Sequence, residues 1–170
     1  MTNLEQRISR LEDRAAIQDL VAAYFCAIDL DDYEAVAKCF TADAAFVASG
    51  FSGDHTREAI IAFLKEARAH MGQTVHTPHY VQIEFTGNGK ANGTVAAHLE
   101  LGLGDKTYFG AVRYLDTYRC EEGGWQITSR DMKAVHIAPW SEVEHSLTRP
   151  FNVRWPGADP LRSDCARPDR

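Results

Sequence analysis

The chain reads as an α+β protein in which helices come first and an antiparallel sheet follows. Three observations predict this. Helix caps and 3.6-residue apolar spacing dominate up to about residue 70. Period-two alternation dominates from Val75 to about residue 138. Short turn sequences, GNGK at 87–90, GDK at 104–106 and EEGG at 121–124, join the alternating runs into consecutive hairpins. Consecutive hairpins make an antiparallel sheet, and helices grouped ahead of it must cover one of its faces.

Taken in order, Thr2 and Glu5 have the spacing of a capping box, and Leu4, Ile8 and Leu11 mark an apolar stripe behind it. RAAIQDLVAAYFCAI carries the helix on to Ile28, and its last turns are apolar on nearly every side, which predicts burial there. Asp31 and Glu34 repeat the capping spacing and predict a second helix over about 32–40, ended by a polar turn at 41–43. AAFVAS at 44–49 is a short strand and GFSGDH a loop. Thr56 caps a third helix, REAIIAFLKEARAHM, with Ile60, Phe63, Leu64 and Ala67 on one face and Gly72 at its C-terminal end. In the first long strand Val75, Thr77, His79, Val81, Ile83 and Phe85 share a face. Strands over 91–103, 107–119 and 125–136 follow. The remainder is proline-rich and weakly periodic. This divides the chain into a domain over 1–138 and a C-terminal extension over 139–170 that wraps the domain or is partly disordered.

The composition excludes several classes. At 170 residues the chain suits one domain, and 45% apolar with 25% charged residues is an ordinary globular balance. A net charge of −6 argues against nucleic acid or an anionic membrane as partner. No apolar run reaches the roughly 20 residues of a membrane span, and the polar N-terminus does not resemble a signal peptide, so cytoplasmic residence is expected. Four scattered cysteines suggest reduced thiols rather than a metal site or disulfide frame, with Cys26 and Cys39 expected in the core. No G-x-G-x-x-G, phosphate loop or G-x-S-x-G is present, so any chemistry is expected to run on side chains without cofactor or metal.

Three acids follow the buried end of the first helix. Asp31 has a capping role, and Asp32 falls in a first turn, where negative charge is favoured. Asp29 has neither reason: it sits at a helix C-terminus, where a carboxylate is disfavoured. On strand period His79 shares the apolar face and His76 points away, which also splits H-x-x-H as a metal pair. If Asp29 and His79 meet, the acid fixes the imidazole tautomer and makes a base, although such a dyad can equally be a buried structural pair. Tyr24 and Tyr114 can reach a pocket or the core. His98 alternates opposite the leucine face of its strand. Arg130 and His136 share a parity with Met132, with Lys133 opposite, and any of these can bind an anion.

RAAIQDLVAAYFCAIDLDDYEAVAKCFTADAAF, HTPHYVQIEF and YLDTYRCEEGGWQI together resemble the SnoaL-like branch of the nuclear transport factor 2-like superfamily, over residues 4–139. The first stretch is similar to the opening of scytalone dehydratase, gamma-hexachlorocyclohexane dehydrochlorinase and bile-acid 7α-dehydratase. The resemblance implies a cone-shaped, cystatin-like α+β barrel with three helices packed on a curved antiparallel sheet. It implies an apolar pocket lined by Tyr24, Phe25, Val81, Val112 and Tyr114. It puts the catalytic acid and histidine at Asp29 and His79, and substrate contacts at Tyr24, His98, Tyr114 and Arg130, with Lys133 an alternative to Arg130. The implied activity is a cofactor-independent, dehydratase-like elimination on a small hydrophobic cyclic substrate. An isomerase or polyketide-cyclase-like enzyme, or a non-catalytic binding or assembly module, uses the same scaffold. Relatives pair as homodimers or homotrimers through the outer sheet face, here bearing Tyr80, Gln82 and Phe109.

Overall fold

Helix α1, Asn3–Asp29, starts where the capping box predicts. Thr2 Oγ1 accepts from the Glu5 amide at 3.2 Å, and Glu5 Oε2 accepts from the Thr2 amide at 2.7 Å. The structure, a computed structural model, describes residues 2–51, 54–87 and 89–165. Ser52 and Gly53 of the expected loop, and Asn88 of the GNGK turn, lie outside the described residues. Only the second half of α1 is buried, through Ile17, Val21, Tyr24, Phe25 and Ile28, whereas Leu4, Ile8 and Leu11 are exposed. Cys26 also faces outward, contrary to expectation, while Cys39 is buried.

The end of α1 assigns each of the three acids a separate place. The Asp32 amide donates to the Ala27 carbonyl at 2.9 Å and the Asp31 amide to the Ile28 carbonyl at 3.2 Å. This is the Schellman pattern, and it makes Asp29 the last helical residue. Asp31 takes the left-handed conformation, φ 54°, that glycine usually fills. That extra residue shifts the next cap by one: Asp32, rather than Asp31, accepts from the Ala35 amide at 3.0 Å and opens α2, Tyr33–Lys38.

Strand β1, Phe40–Ala48, begins at the last residue of the expected second helix and runs straight through the expected polar turn at 41–43. The short β2, Asp54–His55, precedes α3, Arg57–Arg68, which Thr56 caps through the Ala59 amide at 3.3 Å. Helix α3 stops before the glycine expected to end it, because Gly72 already belongs to β3, Met71–Gly87. Strands β4, Lys90–Leu103, β5, Lys106–Glu121, and β6, Gly124–Pro139, complete the hairpins, and a 3-10 turn, Trp140–His145, follows. The sheet is open, with strand order β2-β1-β6-β5-β4-β3. The hairpin pairs are antiparallel, but β1 lies parallel to β6, so the sheet is mixed at that edge. The buried half of α1 packs on the inner face with Val95, Val112 and Ile127. Each fully buried side chain of this kind contributes about 1.5–3 kcal/mol.

The C-terminal segment extends the sheet. Beyond the Ala48–Met132 pairing, β6 has a free edge, and Val153 bridges to Ile137 there. The Ile137 amide donates to the Asn152 carbonyl and the Arg154 amide to the Ile137 carbonyl, each at 2.9 Å. Asp164 Oδ2 accepts from the Ala134 amide at 2.8 Å. This seats Trp155, whose indole N–H donates to the Ser49 carbonyl at 3.1 Å.

The inner face tolerates no extra atom at Gly93. A Cβ there would stand 2.6 Å from Tyr118 Cε2, and the Tyr118 hydroxyl is tied to Asp116 at 2.7 Å. Gly93→Ala is expected to lower the unfolding free energy by about 1–3 kcal/mol in urea titration. An unchanged midpoint would show that Tyr118 is free to move.

Candidate active site

The open side of the sheet, α1, α3 and the tail enclose a cavity of about 240 Å³. Its walls are mostly apolar. Leu99 and Leu101 come from β4, Phe63 and Leu64 from α3, and Trp155 and Pro156 from the tail. Phe51 packs edge-on against both Phe63 and Trp155, so the extension builds one aromatic wall. Polar side chains gather at the α1 end: Tyr24, Arg68, His76 and Tyr114. Of the lining expected from the sequence, Tyr24 and Tyr114 are present. Phe25 and Val112 are buried in the core behind them, and Val81 packs partly buried against that core.

Asp29 is bonded on both oxygens. His76 Nδ1 lies 2.6 Å from Oδ1, Thr74 Oγ1 donates to the same oxygen at 2.8 Å, and the His76 amide donates to Oδ2 at 2.8 Å. Burial alone would push the Asp29 carboxyl up. The hydrogen bonds and charge of His76, with Thr74, outweigh it and hold the group below the usual carboxylate range. Because an ionised carboxylate only accepts, a ring proton belongs on Nδ1, and in the neutral imidazole the lone pair is then on Nε2. The imidazole stacks on Phe25, with ring centres 5.4 Å apart and planes 18° apart, which fixes its orientation.

The histidine that meets Asp29 is therefore His76, not the expected His79. Strict alternation counted back from Val81 and Ile83 fails at a β-bulge. Pro78 pairs with Ala97 and Tyr80 with Ala96, leaving His79 as the extra residue. Below the bulge the parity reverses: Thr74 and His76 pair with Leu101 and Leu99 on the inner face, and Val75 is exposed. His79 turns outward, its ring 4.2 Å from that of His98. His98 is likewise on the outer face, beside Phe109, and does not reach the cavity implied for it. A second bulge, between Ala111 and Val112, also separates His136 from Met132. His136 pairs with Ala111 and neighbours Phe109 on the outer side. Pro78 on the edge strand β3 was the available signal, since proline within a strand marks an edge or a bulge.

Arg130 lies beneath the tyrosines rather than in the cavity wall. It is fully buried, bonded to both oxygens of Asp116 at 2.9 and 2.7 Å. Its guanidinium carbon sits 4.2 Å from the Tyr24 ring centre and 4.8 Å from that of Tyr114. Burial would pull the Arg130 pKa down, but the charge of Asp116 and its hydrogen bonds keep it above the ordinary value. Burial raises both tyrosine pKa values, and Arg130 opposes that rise. Lys133, the alternative to Arg130, pairs with Asp131 at 2.9 Å. Two further polar residues at the site, Thr74 and Arg68, carried no local sequence signal. Among the described residues no group of three or more His, Cys, Asp or Glu side chains is arranged to hold a metal ion.

Three N-terminal helices on an open sheet, with a cavity at the helix ends, make a fold of the cystatin-like kind described for a solved NTF2-like protein. Within it the chain belongs to the SnoaL-like domain family, whose model matches residues 9–131. Solved structures agree. One from Novosphingobium aromaticivorans, provisionally described as a scytalone dehydratase, is 15% identical with a TM-score of 0.77, covering 95% of this chain and 99% of that one. A hexachlorocyclohexane dehydrochlorinase, LinA-type3, from Novosphingobium barchaimii is 21% identical with a TM-score of 0.74, covering 79% and 94%. An NTF2-like protein with a cystatin-like fold from Novosphingobium aromaticivorans is 24% identical with a TM-score of 0.63, covering 78% and 88%. At these identities the likeness is one of fold. The comparison with curated proteins finds no match. No helix of the described residues is long and apolar enough to cross a membrane.

The lowered Asp29 pKa sets a pH signature. A carboxyl that titrates lower in the folded chain adds stability above its unfolded pKa of about 4, and that stability is lost as pH falls through the folded value. Thermal unfolding of wild type against Asp29→Asn is expected to show the widest gap at neutral pH, closing below about pH 4. A gap independent of pH would contradict the bonding of the ionised acid.

Proposed function

We propose that the chain is a cofactor-independent lyase that eliminates a small leaving group from a mostly hydrophobic, cyclic substrate. The observation that carries this reading is the 2.6 Å contact between Asp29 and His76, made by a histidine that lines an apolar cavity. With Nδ1 committed to Asp29, Nε2 is the atom available to take a proton from a carbon of the substrate. The electron pair released from that C–H bond forms the double bond, and the leaving group departs from the neighbouring carbon with its own pair. Asp29 stabilises the imidazolium so formed. Tyr24 or Tyr114 supplies a proton to the leaving group or hydrogen-bonds a developing oxyanion, and the burial that raises their pKa values keeps both hydroxyls protonated until then. Arg130, close beneath both rings, supports charge developing on either hydroxyl. The lyase descriptions of the dehydratase and dehydrochlorinase structures support the same reaction class.

Isomerisation is a second reading, favoured by one observation: His76 is the one imidazole among the described lining residues, so the base that removes a proton can return it to another carbon. Product analysis in heavy water separates the two, because only isomerisation leaves solvent deuterium on carbon in a product of unchanged composition. A panel of phenolic, terpenoid and steroid compounds, selected by a rise in melting temperature, supplies the substrates to test. With a turned-over compound, His76→Gln is expected to lower kcat/KM by about 100-fold or more. His79→Gln on the outer face is expected to stay within about twofold, in the range of surface substitutions. Activity that survives His76→Gln, or is lost in His79→Gln, would contradict the assignment.

A further inference from the structure

The hydrogen bonds around Asp29 do not stop at His76. Thr74 Oγ1, which donates to Asp29 Oδ1 at 2.8 Å, accepts from Arg68 Nη2 at 3.0 Å. Arg68 Nε donates in turn to Asp31 Oδ1 at 2.7 Å, and the Tyr33 hydroxyl reaches that same oxygen at 3.0 Å. We propose that Asp31, Arg68 and Thr74 form a positioning relay that holds the Asp29 carboxylate ionised and aimed at His76; its catalytic meaning rests on the lyase reading above.

The direction of every bond in this chain is forced. A guanidinium has donors only, so it can meet the Thr74 oxygen only by donating to it. The single hydroxyl proton of Thr74 is thereby directed at Asp29, an acceptor. No member can reverse without leaving a buried donor facing a donor. The Arg68 side chain is 7% exposed and stands on the last turn of α3, where a positive charge complements the helix dipole. Asp31 answers it from the left-handed position after α1. Non-glycine residues seldom hold that conformation unless something fixes them there, and a tie to a buried cation is a physical reason for aspartate to be held there. The relay thus joins the ends of α1 and α3 to the start of β3 at a carboxylate that the C-terminus of α1 disfavours.

The test is a ¹³C NMR titration of the Asp29 carboxyl in the full chain, which needs no substrate. Thr74→Val is expected to move the Asp29 midpoint to higher pH, and Thr74→Ser, which keeps the hydroxyl, to restore it. Arg68→Met is expected to move it the same way, and it carries the test if Thr74→Val fails to fold. Wild-type titration in a folded Thr74→Val or Arg68→Met chain would overturn the relay. His76→Phe distinguishes the two readings: if it leaves Asp29 unmoved the dyad itself fails, whereas a shift in His76→Phe with none in the relay variants removes only the relay.

Discussion

A carboxylate at the C-terminal end of a buried helix is the constraint on which this architecture turns. The last carbonyls of α1 already concentrate negative charge there, so an ionised Asp29 must be supplied with donors from elsewhere. They come from one short piece of edge strand: the Thr74 hydroxyl, the His76 amide and the His76 ring. Anchoring both the backbone and the ring of a single residue to one carboxylate fixes the strand against the helix. It also orients the imidazole, because a side chain that can only accept dictates which ring nitrogen is protonated. Structure and chemistry are here the same set of bonds.

The second buried charge, Arg130, has a different economy. Asp116 pairs with it through two hydrogen bonds and receives a third from Tyr118. The pair is neutral overall, but the cation lies on the cavity side, under the rings of Tyr24 and Tyr114. An ion pair with no solvent access adds little to stability by comparison with well-packed apolar groups, while removal of one partner leaves a charge stranded at a cost of about 3–5 kcal/mol. Its retention is better explained by the positive potential it brings to two hydroxyl groups in an otherwise apolar hollow.

Much of this was legible in the sequence, and the failures have physical causes. Asp29 stood out because no local rule accounted for an acid at that point, and its environment is indeed built from distant parts of the chain. The three helices and three hairpins followed from capping, periodicity and turn residues. Period two carried through Pro78 misplaces His76, because a bulge there inserts His79 and inverts every side chain before it. Capping spacing points to Asp31 although Asp32 is the cap, since a left-handed aspartate after α1 takes up one residue that propensity does not foresee. Arg68 and Thr74 carry no local signal at all. The contact of Arg68 with Asp31 spans 37 positions, and that of Thr74 with Asp29 spans 45, and neither leaves a periodic trace. Trp155 closes the cavity from a segment whose weak periodicity hid the backbone bonds that hold it to β6.

The chemistry proposed for His76 depends on a single proton. Long-range ¹H–¹⁵N correlation of the His76 ring at neutral pH reads its tautomer directly. A proton on Nδ1, with the Nε2 resonance in the unprotonated range, is the result required by the bond to Asp29 and by a base facing the cavity. A proton on Nε2 alone would mean that the imidazole does not donate to Asp29 and that its lone pair is not on the nitrogen offered to a substrate.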